Sequence, residues 1–212
     1  MRTSLSLLML SAAIFIAGCQ SAYYASMEKL GIEKRDIMVD RVEGARDEQE
    51  DAKETFADAL EAFTAMTSYD GGDLEKAYKK VKDAYEDSVS AAEDVSNQID
   101  KVESVAEALF AEWTQELDSY QSASLRRSSE QSLRETRSKY NEMIRKMRAA
   151  EASMLPVLEL FEDQVLYLKH NLNARAIAAL DVEVQQIQQR VGVLVKQMEA
   201  SITEANTFIS QL

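Results

Sequence analysis

Residues 177–208 read IAALDVEVQQIQQRVGVLVKQMEASITEANTF and have the most regular apolar spacing of the chain. The stripe positions alternate by three and four residues: Ile177, Leu180, Val184, Ile187, Val191, Leu194, Met198, Ser201, Ala205 and Phe208. Such spacing keeps one side of a slightly under-wound helix apolar, as coiled coils and antiparallel bundles require. Apolar residues beside this stripe widen the face and favour a bundle over a two-stranded coil. They are Val182, Val193, Val195, Ile202 and Ile209.

Three earlier segments repeat the same spacing, so the sequence predicts helices over roughly 33–68, 74–118, 124–170 and 174–210. Their stripes contain mainly apolar residues, with one amide at Gln49. They run Met38, Val42, Ala45, Gln49, Ala52, Phe56, Ala59, Phe63, Met66; then Ala92, Val95, Ile99, Val102, Ala106, Leu109, Trp113; then Tyr140, Met143, Met147, Ala150, Met154, Val157, Phe161, Val165, Leu168. Pro156 should kink the third segment near residues 152–155, because the stripe continues in phase beyond it.

Three polar stretches separate the segments. Residues 69–73 (YDGGD) predict a turn in which Asp73 caps the following helix. Residues 119–124 are serine-rich and indicate a second turn. Asn171 and Asn173 predict a third, in which one asparagine takes a left-handed C-terminal cap and the next caps the new helix. The expected fold is all-α: an elongated antiparallel helical bundle or coiled coil of about four long helices, forming one domain over residues 33–212.

Charge indicates how the middle segments pair. Residues 93–118 hold eight acids and one base, whereas residues 125–148 hold eight bases and three acids. A hairpin about 119–124 lays these stretches against each other in antiparallel orientation. Complementary charge of this kind sets register and orientation, although each exposed pair contributes only about 0–1 kcal/mol. Arg126 and Arg127 are therefore expected to serve as partners of the acidic helix rather than as a ligand site.

The first nineteen residues form a separate signal. Arg2 precedes an apolar run over residues 5–17, which ends in small residues before Cys19, the build of a secretory signal peptide. Thirteen helical residues span only about 20 Å and are too short to cross a bilayer. Residues 16–19 (IAGC) resemble the lipobox of bacterial lipoproteins, in which the cysteine is acylated and becomes the first residue. An ordinary signal peptide with a chance cysteine is the alternative.

The expected organisation is a lipoprotein signal peptide over residues 1–18 and a lipidated N-terminus with linker over 19–32. Gln20 is not the aspartate that resembles an inner-membrane retention signal. The lipoprotein resemblance therefore implies that palmitate-type chains on Cys19 hold the protein in the inner leaflet of an outer membrane, facing the periplasm of the cell envelope.

The composition of the chain indicates which classes of partner it can bind. The chain has 24 basic and 37 acidic side chains, a net charge of −13. This balance opposes nucleic-acid binding, which needs clustered Lys and Arg. Cys19 is the only cysteine, so no disulfide is expected. We expect contact with a membrane through the N-terminal lipid and with a protein partner. The apolar faces suit either a closed monomer or a homo-oligomer.

The sequence lacks catalytic motifs. It has no glycine-rich phosphate loop, no HExxH and no nucleophile elbow, and its single histidine, His170, has no Glu three residues before it. We therefore expect no enzyme, no cofactor and no metal site. The densest polar cluster beside a turn comprises Lys169, His170, Asn171, Asn173 and Arg175. Helix capping explains basic residues near a helix C-terminus, and contact with a partner is the alternative.

Three stretches resemble an uncharacterised bacterial family of helical periplasmic lipoproteins, a domain of unknown function. They are residues 34–42 (KRDIMVDRV), 124–128 (SLRRS) and 166–177 (LYLKHNLNARAI). The resemblance covers nearly all of the mature chain and implies an all-helical fold and an envelope address, with no activity or catalytic residue. The expected function is a lipid-anchored, non-catalytic scaffold, spacer or protein-interaction module. The alternative is a ligand- or metal-binding periplasmic sensor domain with a pocket opened at the Pro156 kink.

Overall fold

A computed structural model describes residues 23–24, 26–27, 31–67 and 73–212, leaving aside the side chains of residues 174–176, 178–179 and 181–182. The segment 1–18, Cys19, residues 70–72 and the side chains of Arg175 and Val182 lie outside what is described. The described part is an all-α bundle.

Five α-helices and one short 3₁₀ turn make up the described fold. They are α1 (Lys34–Thr67), α2 (Leu74–Glu116), the 3₁₀ turn (Leu117–Ser119), α3 (Ala123–Ala152), α4 (Leu155–His170) and α5 (Ala174–Ile209). These bounds match the four predicted segments closely, with the third divided in two at its proline. α1 packs along α2 and α5, and the α3–α4 pair packs along the same two neighbours. The chain thus follows an up-down-up-down path, in which α1 and the α3–α4 pair lie on opposite sides of the bundle.

The interior follows the predicted stripes. Every stripe position of α1 and α5 is buried, including the polar Gln49 and Ser201. Phe161 stacks on Phe63 with ring centroids 4.6 Å apart and also meets Phe56 at 6.2 Å, joining α4 to α1 across the bundle. Each buried aromatic side chain contributes about 1.5–3 kcal/mol of transfer free energy. Ala92, Trp113 and Tyr140 are only partly buried.

Pro156 kinks the third segment where predicted. α3 ends at Ala152, Ser153 and Met154 form a turn with right-handed helical dihedrals, and the proline occupies the first turn of α4. A proline at that position has no N–H to leave unpaired. Ala150, Met154 and Val157 remain buried, so the apolar stripe continues in phase through the break.

The structure corrects one prediction about the width of α5. Val193 is 50% exposed, so it does not widen the buried face, whereas Val195, Ile202 and Ile209 pack partly against the core. Gly192, next to Val193, would meet nothing within 4 Å if it carried a Cβ. The face of α5 that carries Gly192 and Val193 is therefore not covered by any helix in the described part of the chain.

The core also includes residues before α1. Tyr24 is 7% exposed and Met27 packs against the core, although the sequence placed both in the linker. Gly31 has a φ of 78°, a left-handed conformation that glycine adopts without strain, just before the chain enters α1. The N–H of Ile32 donates to the carbonyl of Met27 at 3.1 Å.

Candidate functional site

The two ends of the bundle carry its candidate sites. We call the end with the α4–α5 turn and the start of α2 the distal end. We call the end with the start of α1, the end of α5 and the α2–α3 hairpin the proximal end. Lys34 of α1 pairs with Glu112 of α2 at 2.9 Å, which fixes the level at which α1 begins beside α2.

The distal end holds the predicted cluster, which we call the distal turn (residues 169–175); the side chain of Arg175 lies outside what the structure describes. Lys169 and His170 occupy the last helical turn of α4, and both are exposed, as are Asn171 and Asn173. Leu172 between the asparagines is partly buried and packs against the core. This leucine anchors the turn, so its polar neighbours are held outward.

Hydrogen bonds within the distal turn end one helix and start the next. The Asn171 side-chain amide donates to the carbonyl of Tyr167 at 3.0 Å, and its backbone N–H donates to the same carbonyl at 3.1 Å. The carbonyl of Asn173 accepts from the N–H of Ile177 at 3.2 Å, in the first turn of α5. Asn171 therefore closes α4, and the backbone carbonyl of Asn173 accepts the first hydrogen bond of α5; capping of α5 by the Asn173 side chain stays a prediction.

The conformation predicted for the first asparagine is wrong. Asn171 has φ −129° and ψ 46°, and no described residue other than glycine has a positive φ. Its side-chain amide and backbone N–H both bond to carbonyls of the last turn, which closes the helix without a left-handed residue. Asp73, by contrast, caps α2 as predicted: its carboxylate accepts from the N–H of Lys76 at 3.1 Å.

Two apolar residues beside the distal turn were not singled out from the sequence. Leu166 is 49% exposed and Tyr167 is 41% exposed, although both lie between the buried Val165 and Leu168. Their position off the three-four stripe is the signal that could have identified them. Of these exposed residues, tyrosine is the type that is enriched in protein interfaces.

The α2–α3 hairpin at the proximal end is closed by specific contacts. Trp113 Nε1 donates to Ser129 Oγ at 2.8 Å, and the hydroxyl of Tyr120 donates to the same oxygen at 3.3 Å. Arg126 pairs with Asp118 at 2.7 Å across the turn. The serine-rich stretch is therefore a true hairpin turn, with Ser122 capping α3 through a bond from the N–H of Leu125.

Arg148 forms the main charged cluster between α2 and α3. Its guanidinium donates to Glu103 and Asp100 of α2, each at 2.5 Å, and to Glu151 of its own helix at 2.9 Å. The hydrogen bond to Glu103, followed by those to Asp100 and Glu151, raises the pKa of Arg148. Together with Arg126–Asp118, this cluster confirms that the basic stretch pairs with the acidic helix.

Tyr140 lies near that cluster in a largely apolar setting. Its ring meets Phe110 edge-on at 5.4 Å and Phe208 of α5 at 6.4 Å. Burial raises the pKa of its phenol to about 12, with a smaller contribution in the same direction from Glu103. The neutral phenol is therefore the form that the fold favours.

The interior holds one polar layer that could be taken for a reactive site. Ser201 Oγ donates to Gln49 Oε1 at 2.7 Å, and both residues are fully buried. Gln49 Nε2 and Gln197 Oε1 are buried polar atoms with no hydrogen-bond partner among the described residues. The hydrogen bond between Gln49 and Ser201 joins two neutral side chains of α1 and α5, an arrangement that can fix the register of packed helices.

Grooves on the bundle surface run between α1 and α2. One is lined by acids and bases from both helices, including Asp58, Glu61, Lys76 and Lys80. Another is rich in carboxylates, with Glu48, Asp51, Asp87 and Asp94 around small alanines. Among the described residues no three His, Cys, Asp or Glu side chains converge as metal ligands. No helix in the same part of the chain is both long and apolar enough to cross a membrane.

Comparison with known proteins places the chain in a family. The family model for a protein of unknown function, DUF2959, matches residues 23–212. The chain belongs to the DUF2959 family. The match begins at Tyr23, ten residues before the predicted domain and beside the first tyrosine of the core. No curated protein and no solved structure matches the chain.

Proposed function

We propose that this protein is a lipid-anchored, non-catalytic component of the bacterial cell envelope that holds a partner-binding turn away from a membrane. Its lipid chains, on Cys19, would sit in the inner leaflet of the outer membrane with the bundle in the periplasm. The observation that carries the proposal is that the start of α1 and the exposed distal turn lie toward opposite ends of the bundle. α1, which follows the IAGC motif in the sequence, begins near the proximal end, and the exposed distal turn lies at the other end.

The dimensions of the bundle suit a spacer. The 36 residues of α5 span about 54 Å at 1.5 Å per residue. Antiparallel helices that are packed into a bundle resist bending better than a single helix would. A partner bound at the distal turn would therefore be held at a fixed distance from the bilayer.

The surface beside the distal turn supports a protein partner. Leu166 and Tyr167 are exposed apolar side chains, and Lys169, His170 and Asn171 next to them offer hydrogen-bond donors. Tyrosine is among the residues that dominate binding energy in interfaces. The alternative, a sensor domain, would need a pocket at the Pro156 kink, beside which Ala150, Met154 and Val157 are buried.

The anchor is tested by labelling cells with a palmitate analogue. The wild-type protein should take up label and fractionate with outer membranes, whereas Cys19→Ser should take up none. The matched control is Gln20→Asp, which should keep the label but move the protein to the inner membrane. Wild-type protein that takes up no label and leaves the cell on osmotic shock would show a plain secreted bundle instead.

The partner surface is tested with a photo-crosslinking amino acid placed at Tyr167. A defined adduct of one mass should form at this position, and Leu166→Glu in the same chain should abolish it. The control site is Leu155, an exposed leucine at the start of α4 that is 61% exposed. The same adduct from both sites, or none from Tyr167 in any growth phase, would contradict a partner surface at the distal turn.

A further inference from the structure

The chain is fixed to the bundle only a few residues after Cys19. Tyr24 is buried and its hydroxyl lies 3.1 Å from Ser104 Oγ of α2. Tyr23 accepts a hydrogen bond from Arg41 of α1 at 3.3 Å, and its ring meets that of Tyr24 at 5.4 Å. Four residues separate Cys19 from Tyr24, so the five steps from one Cα atom to the next span at most about 17 Å even when fully extended.

The hairpin extends further than this tether does. Ser104 marks the level of Tyr24 on α2, and 15 further residues lead to Ser119 at the end of the 3₁₀ turn. At 1.5 Å per residue the hairpin therefore projects about 22 Å beyond Tyr24 toward the proximal side. The contacts of Trp113 and Tyr120 with Ser129 hold it closed along that length.

The length of the tether and the projection of the hairpin together determine how close the hairpin comes to the bilayer. If lipid on Cys19 enters a bilayer, the level of Tyr24 cannot lie more than about 17 Å plus the lipid linkage from it. The headgroup layer is itself about 5–7 Å thick on each side of the hydrocarbon core. A bundle that stands upright on its anchor therefore brings the end of the hairpin into this layer. A bundle lying flat would instead press a chain that has lost Arg2, and so carries 23 bases, 37 acids and a net charge of −14, against the lipid surface.

The residues at that end suit a lipid surface. We call residues 119–128 the hairpin tip. It holds two exposed apolar side chains, Tyr120 at 41% and Leu125 at 59%, and two exposed bases, Arg126 and Arg127, with no acid in between. Tyrosine favours the membrane–water interface, leucine the acyl boundary, and arginine binds phosphate oxygens through its planar fork. Asp118, next to the tip, neutralises Arg126 at 2.7 Å, so Arg127 is the base of the tip that can meet a lipid phosphate.

We propose that the hairpin tip rests on the bilayer that holds the lipid anchor, with Tyr120 and Leu125 in the headgroup region and Arg127 against an anionic lipid phosphate, while Arg126 stays paired with Asp118. This inference rests on the proposed acylation of Cys19. The anchor and the tip then form two contacts at one end, which keeps the bundle upright and directs the distal turn away from the membrane. A single flexible tether would not fix that orientation.

The test uses acylated full-length protein in vesicles of phosphatidylethanolamine and phosphatidylglycerol. Acylation blocks the only native cysteine, so an introduced cysteine takes a fluorophore at a single site. Ala123→Cys places the fluorophore on the tip and Asn171→Cys places it on the distal turn. Lipids with a nitroxide on the headgroup should quench the fluorophore at 123 several-fold more than the one at 171.

Paired variants separate tip docking from the anchor itself. Leu125→Glu with Arg127→Glu should lower quenching at 123 to the distal level while mass spectrometry still finds the acyl chains. The matched control, Leu155→Glu with Arg145→Glu, changes the same residue types on exposed helix positions and should keep the quenching.

The other possible results of this experiment would overturn either the tip proposal or the anchor. Acylated protein whose tip is quenched no more than its distal turn would overturn the tip proposal and leave the anchor intact. Protein without acyl chains would overturn the anchor. Self-quenching between tip fluorophores that dilution with unlabelled protein relieves would show that two copies meet at the tip, and would also overturn lipid docking.

Discussion

Gln49 is a buried amide in a stripe of α1 that is otherwise apolar. Its Oε1 accepts from Ser201 while its Nε2 has no partner among the described residues. An unpaired buried donor costs about 1–3 kcal/mol, and one neutral hydrogen bond returns about 1 kcal/mol. The layer therefore costs stability, and what it offers in return is a fixed register between α1 and α5, as buried polar residues do in coiled coils.

Replacing Gln49 should consequently stabilise the fold. Gln49→Met keeps the volume and removes the unpaired N–H, and Ser201 can turn to a carbonyl of its own helix. We expect the free energy of unfolding in urea to rise by about 1 kcal/mol with an unchanged denaturant slope. Gln49→Ala, which leaves a cavity, should lower it. A lower midpoint for the methionine variant would mean that the amide contributes more than its geometry indicates.

The raised pKa of Tyr140 makes the free energy of unfolding fall at alkaline pH. The phenol has a pKa of about 12 in the folded state because of burial, against about 10 in an unfolded chain. The unfolded chain loses its proton first, so this contribution is fully present below pH 10 and is lost between about pH 10 and 12. The difference corresponds to about 2–3 kcal/mol.

Tyr140→Phe keeps the ring packing on Phe110 and Phe208 and removes the titration. Its unfolding free energy should therefore fall less steeply than that of the wild type between about pH 10 and 12, measured by urea unfolding at each pH. Tyr120→Phe changes an exposed ring and serves as the control, with the wild-type decline expected. Identical profiles for Tyr140→Phe and the wild type would contradict the assignment.

At the scale of the helices, Arg148 joins α3 to α2 through a fork that a lysine cannot reproduce. Glu103 accepts from both Nε and Nη2, at 3.3 and 2.5 Å. Isolated exposed ion pairs contribute about 0–1 kcal/mol, but here one guanidinium serves three carboxylates and is about one-third exposed. Geometry, rather than charge alone, carries the contribution.

Arg148→Lys should therefore lower the free energy of unfolding by about 1 kcal/mol, with a smaller loss at high salt. Arg145→Lys is the matched control, because Arg145 donates only to Asn141 of its own helix among its described contacts and is exposed. It should change stability by less than about 0.5 kcal/mol in the same urea unfolding assay. Equal losses from both substitutions would assign the effect to helix propensity or net charge.

The helices themselves were predictable because their information is local. The three-four stripes alone predicted the burial of Phe56, Phe161 and Ile187, and the charge blocks predicted the pairing of α2 with α3. The unexpected details depend on tertiary contacts. Asn171 closes α4 through its amide instead of a left-handed residue, and Val193 is exposed because no helix in the described part of the chain packs on that side. Periodicity assigns a residue to a face but does not say whether a neighbour covers it.

For the molecule as a whole, the candidate sites lie at its ends, and sequence alone located them only in part. The distal turn was visible as a polar cluster, yet its exposed Leu166 and Tyr167 were hidden among apolar neighbours. The hairpin tip was read as a partner of the acidic helix, which holds for Arg126. Its projection beyond Tyr24 emerged only from comparing helix lengths with the position at which the chain joins the bundle.

That projection also makes stability uneven along the molecule. Among residues 123–142, all of which are described, Leu133 alone is buried, whereas Met143, Met147 and Ala150 follow in quick succession at the positions that face the core. Helix propensity without tertiary packing holds a helix weakly, so the first half of α3 should open at lower free energy than the second.

Hydrogen exchange followed by mass spectrometry should resolve this difference. Amides of residues 126–138 should exchange faster than those of residues 143–151, and the buried stretch of α5 over residues 187–205 should exchange most slowly. Leu133→Ala should speed exchange in the first half of α3 and leave α5 unchanged, because the hairpin tip can open while the four-helix core stays closed. Uniform exchange along α3, or an effect of Leu133→Ala that extends to α5, would mean that the hairpin unfolds only together with the whole bundle.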